Sequence, residues 1–188
     1  MKIDFLEKLK KIRRGPAILL QKDVGVILSN TNIDKNSKVL DAGSGCGVLT
    51  ANLARFVNKV YSYDNRKEFL DIAKENCKNF GLNNVVFRNK DVYEEIKEKN
   101  LDLVTLDLKE PWRAFDNVHN SLKKDGMLVC FSPNITQVMK VVEKAKGKFK
   151  IVKVLENIER EWIVEKLRVR PENMIIGHTA FIVVLRKI

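Results

Sequence analysis

Cysteine, proline and glycine are all scarce in this 188-residue chain, at three, four and nine residues. So little proline and glycine excludes a collagenous or low-complexity protein. Cys46, Cys77 and Cys130 lie far apart and form no C-x-x-C pair, so no zinc knuckle and no metal site is expected. An odd, sparse count argues against a disulfide scaffold and suits a reducing, cytoplasmic setting. The three cysteines read as small apolar core residues. No apolar run approaches the ~18–20 residues of a membrane-spanning helix, so no membrane partner is expected. The opening MKIDFLEKLKKIRR lacks the apolar core and cleavage site of a secretory signal.

Apolar residues make up 45% of the chain and charged residues 31%, the composition of a folded protein. The length suits one domain spanning 1–188, with a helical lead-in over 1–30 and an α/β core over 37–188. The net charge is +11, with 35 Lys and Arg against 24 Asp and Glu. That sign favours a polyanionic partner through counterion release. The excess is concentrated: residues 2–22 hold seven basic and two acidic side chains, and residues 140–170 hold ten and five.

Apolar runs alternate with helical patterns. Strands are expected at 37–42, 58–63, 85–88, 101–107 and 126–132, and helices at 2–12, 22–30, 47–56, 66–80, 112–122 and 135–146. The last third changes character: 149–156, 160–170 and 179–186 read as strands with no helix between them. Strand–helix alternation predicts a doubly wound parallel sheet with helices on both faces. The helix-free tail predicts an antiparallel addition at one edge.

The sharpest local feature is Asp41-Ala42-Gly43-Ser44-Gly45-Cys46-Gly47, between a predicted strand and a predicted helix. Alternate glycines allow a tight turn and close approach of a ligand. The spacing fits neither a P-loop nor the dinucleotide G-x-G-x-x-G pattern. The next three strands are followed by Asp64, Asp91 and Asp107. In an open α/β sheet the ligand crevice lies beyond the carboxyl ends of the strands, so all four features fall on one edge. A carboxylate at Asp64 can accept two hydrogen bonds from a ribose diol, and Asp91 can meet an adenine amino group.

With Asp64 and Asp91 downstream, this turn resembles the S-adenosylmethionine site of class I (Rossmann-like) methyltransferases. The resemblance implies a seven-stranded, mostly parallel sheet whose last strand is antiparallel. It implies cofactor contacts from Gly43, Ser44, Gly45, Cys46, Gly47, Val48, Asp64, Asp91, Val92 and Asp107.

Further segments narrow the family. They are Leu106-Asp107-Leu108-Lys109-Glu110-Pro111-Trp112, Ser132-Pro133-Asn134, Arg160-Glu161-Trp162, Arg170-Pro171-Glu172-Asn173 and Gly177-His178-Thr179-Ala180-Phe181, with Arg14-Gly15-Pro16 and Lys22-Asp23 upstream. Together they resemble the tRNA (adenine-N1)-methyltransferases that modify T-loop position 58, and in archaea also 57. The resemblance runs from about residue 13 to 186 and covers the catalytic domain. The family's usual small N-terminal β-rich domain has no counterpart in this sequence. Ala17 and Gln21 stand where the family reads Gln and Pro, and Leu20 where an aromatic is common. The resemblance implies S-adenosyl-L-methionine as cofactor, tRNA as partner, a homotetramer, and Asp107 as the catalytic residue in contact with both cofactor and base.

N1 of adenine carries no proton, so no general base is needed and His178 is not read as one. Its turn either lines the pocket or is an ordinary backbone-bonded turn. Trp112 and Trp162 could stack on a base or pack in a core or interface, and His119 reads as a surface helix residue. Because N1 lies on the Watson–Crick edge, the target nucleotide must be extruded. Lys8, Lys10, Lys11, Arg13 and Arg14, or else the lysines at 144, 146, 148, 150 and 153, could grip the phosphates. Two other readings stay open on sequence alone: methylation of a small molecule such as a corrin precursor, and a non-catalytic tRNA-binding partner subunit.

Overall fold

The computed structural model describes residues 5–13 and 19–188. The predicted helix at 2–12 is described from residue 5, and Arg14, the Arg14-Gly15-Pro16 segment and Ala17 lie outside the described residues. Two helices lead in, α1 (Phe5–Lys10) and α2 (Gln21–Asn30). Then come β1 (Lys38–Ala42), α3 (Val48–Ala54), β2 (Lys59–Tyr63), α4 (Lys67–Asn79), β3 (Val85–Arg88) and β4 (Leu101–Leu106). A 3₁₀ turn at Pro111–Ala114 feeds α5 (Phe115–Ser121), followed by β5 (Leu122–Ser132) and α6 (Ile135–Ala145). The chain ends with β6 (Phe149–Glu156), β7 (Trp162–Glu165), β8 (Arg168–Pro171) and β9 (Phe181–Lys187).

Seven strands form one sheet in the order β3-β2-β1-β4-β5-β9-β6. The pairings β1–β2, β2–β3, β1–β4 and β4–β5 are parallel, and β9 is antiparallel to both β5 and β6. The antiparallel strand is therefore not the outermost one: β6 takes the edge and β9 fills the gap beside β5. This is the Rossmann-like class I methyltransferase sheet.

The inner strands read as continuous apolar runs because both faces are covered. On β1, Leu40 and Ala42 join the cluster of Phe115, Val118, Val138 and Val141 under α5 and α6. Val39, which precedes them, points the other way and joins Val24, Ile27, Leu49 and Leu53 under α2 and α3. The same alternation holds on β9, where Val183 and Leu185 face one cluster and Ile182 and Val184 the other.

Three expectations shift. Strand β5 begins at Leu122, not 126, because Leu122 pairs with Leu101 before a register irregularity; Asp125 takes a φ of 59° within it. The 160–170 segment is not part of the main sheet but a separate β7–β8 hairpin, with Val164 opposite Val169. His119 is half-buried, its ring edge-on to Phe149.

Candidate active site

The carboxyl ends of β1, β2 and β4 open on one cavity of about 320 Å³, lined among others by Gly43, Asp64, Asp91, Val92 and Asp107. These residues come from four separate stretches of sequence, and the parallel register brings them together. Ser44, Gly45, Cys46 and Val48 line an adjoining recess of about 30 Å³ that shares Gly43 and Asp107. Gly47 lines neither. Its φ of 82° is left-handed, and a Cβ there would lie 2.9 Å from the Ala73 side chain, so it serves the close packing of α4 on the loop.

Hydrogen bonds hold the loop from below. The amides of Gly43 and Ser44 both donate to the Tyr63 carbonyl, at 3.0 and 3.2 Å. The Ser44 hydroxyl donates to the carbonyls of Asp41 and Tyr63, and Ser62 Oγ donates to Ser44 Oγ at 2.7 Å. Asp41, fully buried, accepts from Thr50 Oγ1 of α3 at 2.6 Å and from Thr105 Oγ1 of β4 at 2.8 Å. It ties together the strand, helix and strand that frame the recess. Burial pushes its carboxyl up to about 6, opposed by the two threonine hydrogen bonds and reinforced by the charges of Asp107 and Asp64.

The three outer aspartates differ. Asp64 is buried and accepts the Gly45 amide at 3.0 Å and the Arg66 amide at 3.0 Å, besides the Arg66 guanidinium. Asp91 is half-buried; it accepts the Tyr93 amide at 2.9 Å and Asn65 Nδ2 at 3.3 Å. Asp107 opens to the cleft, and among the described residues its carboxylate accepts no hydrogen bond. The Asp107 amide donates to the Ala42 carbonyl at 3.0 Å, which fixes its backbone at the tip of β4. It caps no helix, since Glu110 precedes the following 3₁₀ turn. The protein bulk around it strips water and lifts its carboxyl above the ordinary range; the Arg66 charge pulls it down and Asp64 pushes it up.

Sequence reasoning missed Asn65, Arg66, Lys90, Tyr93, Leu108 and Lys109 on the cavity wall. Each lies within two residues of a predicted aspartate, so proximity to the strand tips was the available signal. His178 is not on this wall. Its Nδ1 faces Glu156 Oε1 and its Nε2 the Pro133 carbonyl at 2.8 Å, so it clips the turn before β9 to neighbouring segments. Trp112 is half-buried with Lys140 over its ring at 5.3 Å, and Trp162 is exposed on the hairpin.

The family profile described as "tRNA methyltransferase complex GCD14 subunit" matches residues 11–182. A TrmI from Methanocaldococcus jannaschii, a tRNA (adenine(57)-N(1)/adenine(58)-N(1))-methyltransferase, is 36% identical over 95% of this chain and 74% of its own length. The chain belongs to the GCD14 family. Among solved structures, the tRNA (m1A58) methyltransferase TrmI from Aquifex aeolicus superposes on this GCD14-family chain with a TM-score of 0.91. It is 31% identical, over 96% of this chain and 71% of that one. A SAM-dependent O-methyltransferase from Thermotoga maritima also reaches 0.91, at 27% identity over 98% of this chain and 71% of that one.

Proposed function

We propose that this GCD14-family chain transfers a methyl group from S-adenosyl-L-methionine to N1 of a tRNA adenine, at T-loop position 58 or its neighbour 57. The observation that carries the reading is the meeting of Gly43, Asp64, Asp91, Val92 and Asp107 on one cavity. The donor set suits the cofactor: a glycine turn without Cβ bulk, a buried carboxylate for the ribose diol, and Asp91 beside the apolar Val92 for the adenine.

When bound, the cofactor supplies an already activated methyl group on sulfur. What remains for the protein is alignment and exclusion of water. Asp64 and Asp91 would fix the cofactor's ribose and adenine. Asp107, with its carboxylate free, would accept a hydrogen bond from the exocyclic amine of the target adenine. As the ring gains positive charge, that bond strengthens, so the carboxylate stabilises the transition state more than the ground state.

One feature supports a tRNA partner. Helix α1 packs Leu9, followed by Ile12, against Cys46 and Val48, so the basic segment from Lys8 to Arg13 adjoins the glycine loop. In the 144–153 cluster Lys144, Lys148 and Lys153 are engaged by Glu143, Asp116 and Asn30, just as Lys8 and Arg13 are engaged by the Asn79 carbonyl and Glu75. The expected homotetramer has a candidate surface in the hairpin, where Trp162, Val164, Leu167 and Val169 are all exposed. Among the described residues no helix is long and apolar enough to cross a membrane.

The test of the cofactor reading is heat stabilisation. A ligand that binds only the native state at 100 times its Kd adds about 2.7 kcal/mol. A raised Tm with S-adenosylmethionine is expected, lost in Asp64→Ala; an unchanged Tm in saturating cofactor counts against an enzyme and for a partner subunit.

A further inference from the structure

The carboxylate assigned above to the ribose is already covered. Arg66 Nε donates to Asp64 Oδ1 at 3.1 Å and its terminal nitrogen donates to Oδ2 at 3.3 Å. The Arg66 amide also donates to Oδ1 and the Gly45 amide to Oδ2. Each oxygen thus accepts two hydrogen bonds, which fills the roughly four lone-pair sites of a carboxylate.

The four donors are not equivalent. Two are backbone amides fixed by the glycine loop and by the start of α4. The other two sit on a side chain that is 50% exposed, whereas the Asp64 side chain is 2% exposed. A ribose diol offers two adjacent hydroxyl donors, as the guanidinium fork does, and the two cannot hold the same lone pairs. The guanidinium also has a second attachment, since it lies over the Phe69 ring at 4.3 Å from the centroid. It can therefore leave Asp64 without becoming wholly unpartnered.

We infer that Arg66 is an internal competitor for Asp64, a specificity and affinity determinant that a nucleoside diol must displace to enter the cavity. The inference rests on reading this cavity as the S-adenosylmethionine site. It has two consequences. Removing the guanidinium should tighten binding, because the ligand no longer displaces an ion pair. The competition should also weaken with salt, because one partner is solvent-exposed and screened. A half-exposed ion pair is worth about fivefold at most.

The test is calorimetric titration of S-adenosylhomocysteine into the wild-type chain, Arg66→Met and Arg66→Gln, at low and high salt, with Tm values to check that each variant is folded. The expected result is roughly three- to fivefold tighter binding by both variants at low salt. Wild-type affinity should rise with salt while the variants stay flat. If the wild type binds but the folded variants bind equally or more weakly, Arg66 positions Asp64 rather than competing for it, and the inference is overturned. If neither wild type nor variants bind, the reading of the cavity itself falls.

Discussion

Gly43 sits so close to Asp107 that a Cβ on it would lie 2.2 Å from the Asp107 carbonyl oxygen. The φ of Gly43 is +81°, a left-handed value that side chains rarely adopt. The glycine turn and the tip of β4 are thus in backbone contact, and any side chain at 43 must push them apart. Gly43→Ala is expected to cost about 1–3 kcal/mol in chemical denaturation through strain at this φ and the backbone clash. It should also abolish the heat stabilisation given by S-adenosylmethionine.

Asp107 should be dispensable for folding and essential for turnover. Its carboxylate faces the cleft without an intramolecular hydrogen bond, so Asp107→Ala is expected to hold the Tm. The loss of transition-state stabilisation should lower kcat by at least ~10²–10³-fold in a labelled-methyl assay. The ionised form is the one that accepts the hydrogen bond, and its folded-state pKa is raised by burial. Wild-type kcat should therefore fall as the pH drops through a value above the ordinary carboxylate 3.8, and rise towards neutrality.

The lead-in helix is fastened to the C-terminal segment by a buried pair. Lys22 Nζ donates at 2.7 Å each to Asp23 Oδ1, the Asn157 carbonyl and Thr179 Oγ1, and Thr179 donates to Asp23 Oδ2 at 2.9 Å. The Lys22 and Asp23 side chains are only 4% and 2% exposed. Removing one partner strands the other charge, so Lys22→Met should cost about 3–5 kcal/mol by chemical denaturation. The double change Lys22→Met with Asp23→Leu should recover much of that.

These contacts also show where sequence stops being legible. The strand tips were readable because local rules govern them: apolar runs, a glycine turn and an aspartate after each strand. The joining of Lys22-Asp23 to Thr179 was not, because it depends on β9 passing between β5 and β6 rather than outside them. Arg66 was missed for a different reason. An arginine at the start of a helix looks like solvated surface until the fold curls it back onto Asp64. The hairpin was misread as part of the main sheet because Trp162–Glu165 and Arg168–Pro171 have strand composition, and composition does not specify which sheet a strand joins.

His178 gives a pH-dependent contribution of definite sign. Its hydrogen bond to Glu156, then that to the Pro133 carbonyl, raises its pKa above 6.5. Both ring nitrogens face acceptors, which favours the doubly protonated ring. A folded-state pKa raised above the unfolded one contributes stability that is complete below 6.5 and fades as pH climbs through the folded value. The stability gap between wild type and Glu156→Gln, measured by denaturant titration, should shrink as pH rises past neutrality. A gap that widens would assign the role of Glu156 to some other contact.

The most direct test of the whole account is to incubate the protein with unmodified tRNA transcripts and methyl-labelled S-adenosylmethionine, digest the product and map the labelled nucleoside. The expected product is 1-methyladenosine at T-loop position 58 or 57, absent with Asp107→Ala. Label on a different nucleoside, or no transfer to any tRNA from a protein that still binds the cofactor, would contradict it.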